Sequence, residues 1–148
     1  MKQLTIPFRK SRVKIPLVDV FIEGTEESLS AIVDTGSEST IFDTNFVEEY
    51  GLLTTNSWDM SLASLKGEDK PITIKEVDTY IAFGEEEVKL HVTGISADLS
   101  GVKDHIKNKY KEPTRITCIL GNDFLRKYKT KINYKTKEIT LYYDLSGE

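Results

Sequence analysis

The chain has 148 residues, 39% hydrophobic and 30% charged, which is enough for one core beneath a solvated surface. Its net charge of −4 argues against nucleic acid as a partner. The single cysteine, Cys118, excludes an internal disulfide or a cysteine-rich zinc site, and the two histidines, His91 and His105, are poor material for a metal centre, so no metal or cofactor is expected.

The N-terminus has no apolar stretch followed by a small-residue cleavage site, and no apolar run approaches the roughly 18 residues that span a bilayer. No membrane contact is therefore expected. The expected location is cytoplasmic, or exported if a leader has been removed. Residues 1–148 read as one domain. In chain order, residues 13–22 and 29–33 are apolar segments around a turn at Glu23-Gly24-Thr25. A short helix comes next over residues 44–50, with Asp43 as its expected N-cap and Gly51 as its stop. A hairpin is expected over residues 58–74. Within it Ile72 and Ile74 are apolar on even positions, whereas Val77, Ile81 and Phe83 are apolar on odd ones, so the strand flips face near Lys75-Glu76 and a bulge is expected there.

Gly84-Glu85-Glu86 forms the next turn, before the alternating strand of Val88, Leu90 and Val92. Alternation also makes His91 an exposed residue. Leu99, Val102, Ile106 and Tyr110 fall at helical spacing, so a helix with one apolar face lies within residues 97–113 and ends at Pro113. The lysines of residues 103–111 form its solvated side. A third helix is expected over residues 122–128. A polar turn at Lys135-Thr136-Lys137 then leads to a strand carrying Ile139, Leu141 and Tyr143. The fold class is mainly β, a closed antiparallel barrel with two or three short helices.

Two motifs carry chemistry. In Ile32-Val33-Asp34-Thr35-Gly36-Ser37, apolar β-formers run straight into an acid, a hydroxyl residue and a glycine. Gly36 lets the backbone approach closely or take positive φ, and its N–H can donate to the Asp34 carboxylate. Thr35 and Ser37 supply further hydrogen-bonding groups. Downstream, Cys118-Ile119-Leu120-Gly121-Asn122-Asp123-Phe124-Leu125 is an apolar strand, a glycine and a short helix. Cys118 reads as a buried structural thiol.

Together these motifs resemble the retropepsin-type aspartic proteases, the fold of retroviral proteases and of the protease-like domain of the Ddi1 family. That family pairs an apolar-apolar-Asp-Thr-Gly turn with a later apolar-apolar-Gly strand threaded beside it. Here Ile119, Leu120 and Gly121 match the second element. The resemblance extends over residues 13–143 and makes residues 97–113 a helical insertion, by default a decoration. It implies that Asp34, Thr35 and Gly36 are catalytic. Ser37 and the flap residues Leu65, Lys66, Gly67 and Glu68 would contact substrate. Ile41, Leu62 and Leu65 would supply apolar cleft walls, and Trp58 either core or cleft wall.

Aspartic proteolysis needs two carboxylates sharing one proton. The chain has one Asp-Thr-Gly, so the expected enzyme is a homodimer with one Asp34 from each subunit on a two-fold axis. By the resemblance, Thr35 reaches across that axis. Residues 4–8 and 139–143 are candidate interface strands. The expected function is endopeptidase cleavage of a peptide or protein substrate held as an extended strand. The retroviral pattern has an Arg after the second glycine, paired with an acid behind the Asp-Thr-Gly. Here the two positions hold Asn122 and Glu38. With a flap tip of one glycine, this leaves a second reading, a non-catalytic binding or scaffolding module of the same fold. An unrelated barrel with a chance Asp-Thr-Gly is the third.

Overall fold

Among the described residues, ten strands and three helices are arranged around one main core. The computed structural model describes residues 1–23, 25, 27–61, 71–83, 88–111 and 115–144. The strands are β1 (Lys2–Pro7), β2 (Leu17–Ile22), β3 (Leu29–Val33), β4 (Ile41–Asp43), β5 (Thr54–Ser61), β6 (Pro71–Phe83), β7 (Lys89–Ala97), β8 (Ile116–Leu120), β9 (Lys131–Asn133) and β10 (Glu138–Tyr143). Among them lie helices α1 (Thr44–Tyr50), α2 (Ser100–Tyr110) and α3 (Asn122–Lys127). The expected turn residues Gly24 and Gly84-Glu85-Glu86, the Pro113 stop, and Leu62, Leu65, Lys66, Gly67 and Glu68 lie outside the described residues.

One sheet runs β2-β3-β8-β4-β7-β6-β5, and β2 also pairs with β6, which closes six strands into a barrel. The hairpin strand β5 is left outside. The barrel is mostly antiparallel, but β3 pairs with β8 and β4 with β7 in parallel. Hydrophobic alternation records a strand's faces and not its direction, so these two pairings have no sequence signature. The second sheet is β1-β10-β9. It pairs residues 2–7 with 138–143 inside one chain, so the two candidate interface strands are partners of each other.

The face flip of β6 is present. Ile74 is buried, then Val77, Thr79, Ile81 and Phe83. The bulge expected near Lys75-Glu76 lies instead on the opposite strand, where β5 carries one extra residue between Thr54 and Ser57. The Lys75 N–H donates to Ser96 Oγ at 3.1 Å.

Strands β3 and β8 are buried along their whole length. The reason is that they separate two cores. Ala31, Val33, Cys118 and Leu120 face the main cluster, whereas Ile32 and Ile119 face a second one with Leu17, Leu99, Ile106 and Ile116. Helix α2 closes this second cluster, so it is packed beneath the ladder that ends at Asp34. Burying a large aliphatic side chain is worth roughly 2 kcal/mol, so Leu99 and Ile106 hold α2 by apolar contact first.

A charge adds to that. Asp43 has the backbone position of the α1 N-cap but makes no side-chain cap bond. Its carboxylate is buried, accepts from the Leu99 N–H at 3.2 Å and pairs with Lys103 of α2. The expectations of a capping Asp43 and a solvated Lys103 are both replaced by this tie between the end of β4 and α2. Ile41 packs against the second cluster and Trp58 is 40% exposed on β5. No described helix is long and apolar enough to cross a membrane.

Candidate active site

The site is built where β3 runs out. The Asp34 N–H donates to the Leu120 carbonyl at 3.1 Å, so the acid begins as the last rung of the β3–β8 ladder. The chain then turns. The Ser37 N–H donates back to the Asp34 carbonyl at 3.2 Å. The Gly36 N–H donates to Asp34 Oδ1 at 2.8 Å, which fixes the carboxylate against its own turn. Of the two ways in which Gly36 could serve, the structure uses close approach: a Cβ there would stand 3.1 Å from Asp34 Oδ1, and φ is not positive. Asp34 is half-buried, while Thr35 and Gly36 are exposed.

Strand β8 threads between β3 and β4, the two strands that flank this turn. Gly121 is the residue that lets it pass. A Cβ on Gly121 would lie 2.4 Å from the Ser39 carbonyl oxygen and 2.8 Å from that of Ser37. The thread is then stitched. The Asn122 N–H donates to the Ser37 carbonyl at 2.7 Å, and the Asp123 N–H donates to that of Glu38 at 3.2 Å. The Asn122 side-chain amide donates to the Thr35 carbonyl at 2.8 Å and to Glu38 Oε1 at 3.2 Å. The position that lacks the arginine thus still bridges to Glu38, by a neutral amide. An ion pair is replaced by a hydrogen bond.

Thr40 and Asp123 complete the clasp, and neither was singled out from sequence. Asp123 Oδ1 accepts from the Thr40 N–H at 2.9 Å and from its hydroxyl at 2.7 Å. The Thr40 hydroxyl accepts from the Gly121 N–H at 3.1 Å. The hydroxyl-rich run Ser37-Glu38-Ser39-Thr40 was the available signal, since such residues bond local backbone. Ser37 is spent in the same way, its hydroxyl donating to the Ser39 carbonyl at 2.7 Å.

This architecture has counterparts among solved structures. The retroviral protease-like domain of Ddi1 from Leishmania major superposes with a TM-score of 0.53 at 16% identity, over 83% of this chain and 85% of that one. A retropepsin-like aspartic protease from Rickettsia conorii gives 0.50 at 14% identity, over 95% and 90%. The chain has the retropepsin fold. No protein-family model matches the sequence, and no curated protein matches it.

Within this retropepsin fold, Asp34, Thr35, Gly36 and Ser37 come together with Ile119, Leu120 and Gly121. Among the described residues no cluster of His, Cys, Asp and Glu could hold a metal ion. Cys118 lies buried behind the site, and burial pushes its thiol from the ordinary 9.0 up to about 12. His91 is half-buried, pairs with Asp78 and receives Lys127 Nζ at 3.1 Å, so it is covered by α3 and not simply exposed.

Proposed function

We propose that the chain is an aspartic endopeptidase that works as a homodimer, with Asp34 of each subunit forming the catalytic pair. The observation that supports it most directly is the turn: a carboxylate at a strand end, oriented by Gly36, beside an exposed Thr35. The described residues of the chain offer the Thr35 hydroxyl no hydrogen bond. A second copy related by a two-fold axis would supply both the missing carboxylate and a partner for Thr35.

In the assembled pair one carboxylate is ionised and the other protonated. The ionised one takes a proton from water as that water attacks the scissile carbonyl carbon. The protonated one donates to the carbonyl oxygen, giving a tetrahedral diol. Proton transfer to the amide nitrogen then releases the amine. The substrate is a peptide or protein strand lying across the two turns, with Ser37 and the flap residues at its flanks.

The test is Asp34→Asn. Asn keeps an oxygen to accept the Gly36 N–H, so fold and dimer should persist while cleavage between about pH 4 and 7 disappears. Residual cleavage by this variant, or a wild-type chain that stays monomeric at micromolar concentration, would overturn the proposal. One observation favours the second reading, a binding module. Glu38 is held by the neutral Asn122, a weaker brace behind the turn than a cation. A wild-type dimer that binds peptides without cleaving them would establish that reading.

A further inference from the structure

The charge of this chain is sharply segregated. Residues 1–18 contain five Lys or Arg and no acid, and residues 126–137 contain six and no acid. The other 118 residues carry nine Lys or Arg against all 24 acids. The fold brings the two basic stretches together, because β1 and β9 flank β10 in one sheet.

Where they meet is a pocket of about 580 Å³. Arg9, Lys10, Arg12, Lys14 and Lys137 line it, and among the described residues no carboxylate does. Phe8 and Tyr134 contribute an edge-to-face pair with centroids 6.1 Å apart. The walls are pinned. The Phe8 N–H donates to the Lys137 carbonyl at 2.8 Å and the Arg9 N–H to that of Leu17 at 2.6 Å. Val13 is buried in the second core. Arg9 is shared with Asp19, 3.8 Å away, and with Ser30. Lys10, Arg12, Lys14 and Lys137 all reach solvent.

The pocket also stands at the catalytic end of the barrel. Leu17 pairs with Ile32, and the Val33 N–H donates to the Pro16 carbonyl at 3.0 Å, one residue before Asp34. A concave site with cations on its walls and aromatic rings beside them suits an extended anionic chain better than a flat surface. Cations gathered on one concave wall also raise the local concentration of an anionic partner.

We propose that this pocket binds an acidic stretch of the polypeptide substrate, one bearing several carboxylates or phosphates, next to the segment held at Asp34. This rests on the endopeptidase reading for its biological sense, but binding can be measured without catalysis. Fluorescence anisotropy would follow a labelled ten-residue peptide of alternating Glu and Ser, its Gln counterpart and a phosphoserine version, with wild-type and Asp34→Asn protein. The Glu peptide should bind both proteins alike, at least tenfold tighter than the Gln peptide at 50 mM salt, and weaken steeply as salt rises. Combining Lys10→Gln, Lys14→Gln and Lys137→Gln should cost at least tenfold. Combining Lys107→Gln, Lys109→Gln and Lys111→Gln on and beside α2 should cost less than twofold.

A phosphoserine peptide more than tenfold tighter than the Glu peptide identifies phosphate as the ligand group; otherwise the group is carboxylate, and either supports the pocket. Equal binding of Glu and Gln peptides, or equal losses in the two triple variants, overturns it. So does pocket-dependent binding to vesicles of anionic phospholipid or to duplex DNA without peptide binding. Acidic peptide bound but never cleaved would sink the endopeptidase reading and leave the pocket standing; cleavage indifferent to acidic residues would do the reverse.

Discussion

Gly121→Ala is the sharpest test of how the site is built. The added Cβ would meet the Ser39 carbonyl oxygen at 2.4 Å and its carbon at 2.5 Å, where ordinary contact begins at 3.4 Å. Both are backbone atoms, so relief requires the 37–39 segment or β8 to move by about 1 Å, the shortfall in contact distance. Overpacking of this kind costs about 1–3 kcal/mol. The same movement strains the Asn122 N–H bond to Ser37 and the Asn122 amide bond to Thr35, each worth about 1 kcal/mol. The sum is about 3–5 kcal/mol, or a fall in unfolding midpoint of roughly 6–20 °C for a chain of this size. Since Thr35 and Asp34 move with the segment, peptide cleavage should drop about a hundredfold.

Calorimetry and a cleavage assay on the same preparation give both numbers. The control is Gly101→Ala on α2, where a Cβ meets nothing within 4 Å. There the same substitution should stabilise by about 0.5–1 kcal/mol. A Gly121→Ala protein that melts within about 2 °C of wild type, a loss of no more than ~1 kcal/mol, would refute the threading argument.

Lys103→Met strands the buried Asp43 carboxylate and should cost about 2 kcal/mol in urea unfolding, much of which Asp43→Asn should return in the double variant. Asn122→Ala removes both amide bonds and should lower stability by about 1–2 kcal/mol and cleavage by about tenfold, through a looser Thr35. The Cys118 thiol should resist alkylation at pH 8 and react only on unfolding. Its folded-state value of about 12 lies above the ordinary 9.0, so the folded state holds its proton longer than the unfolded one. The resulting stability is complete below pH 9 and is lost as pH rises toward 12, at about 1.4 kcal/mol per pH unit. Replacing Cys118 with Ala should flatten the alkaline limb by that slope, as read from denaturant midpoints at several pH values.

Much of the site was legible because its signals are local. An apolar run ending in Asp-Thr-Gly, and a second ending in Gly, each specify a strand together with the turn or helix after it. The face flip in β6 was visible in the parity of Ile74 and Val77, although the residue that absorbs it lies on β5. Asp43 was misread for a physical reason: its place before a helix looks like a cap, but its side chain is claimed by Lys103, 60 positions away. His91 was misplaced in a similar way. Alternation put it on the outer face, and only the docking of α3, with Lys127 and Tyr128, covers that face. The Asn122 bridge to Glu38 went unseen because a missing charge looks, in sequence, like a missing contact.

The threading of β8 has a consequence for how such a chain is made. The Thr35 carbonyl waits for an amide 87 positions later. At roughly 5–20 residues per second, synthesis takes about 4–17 s to cross that interval. Until then β3 and β4 lack the strand that lies between them, and the Asp-Thr-Gly turn has neither its ladder nor its stitches. Contacts of such long separation also form slowly, since the loop between them must be closed first. While residues 116–123 are still to be made, the Asp34 carboxylate lacks these supports, and a protein cut before residue 116 would never acquire them.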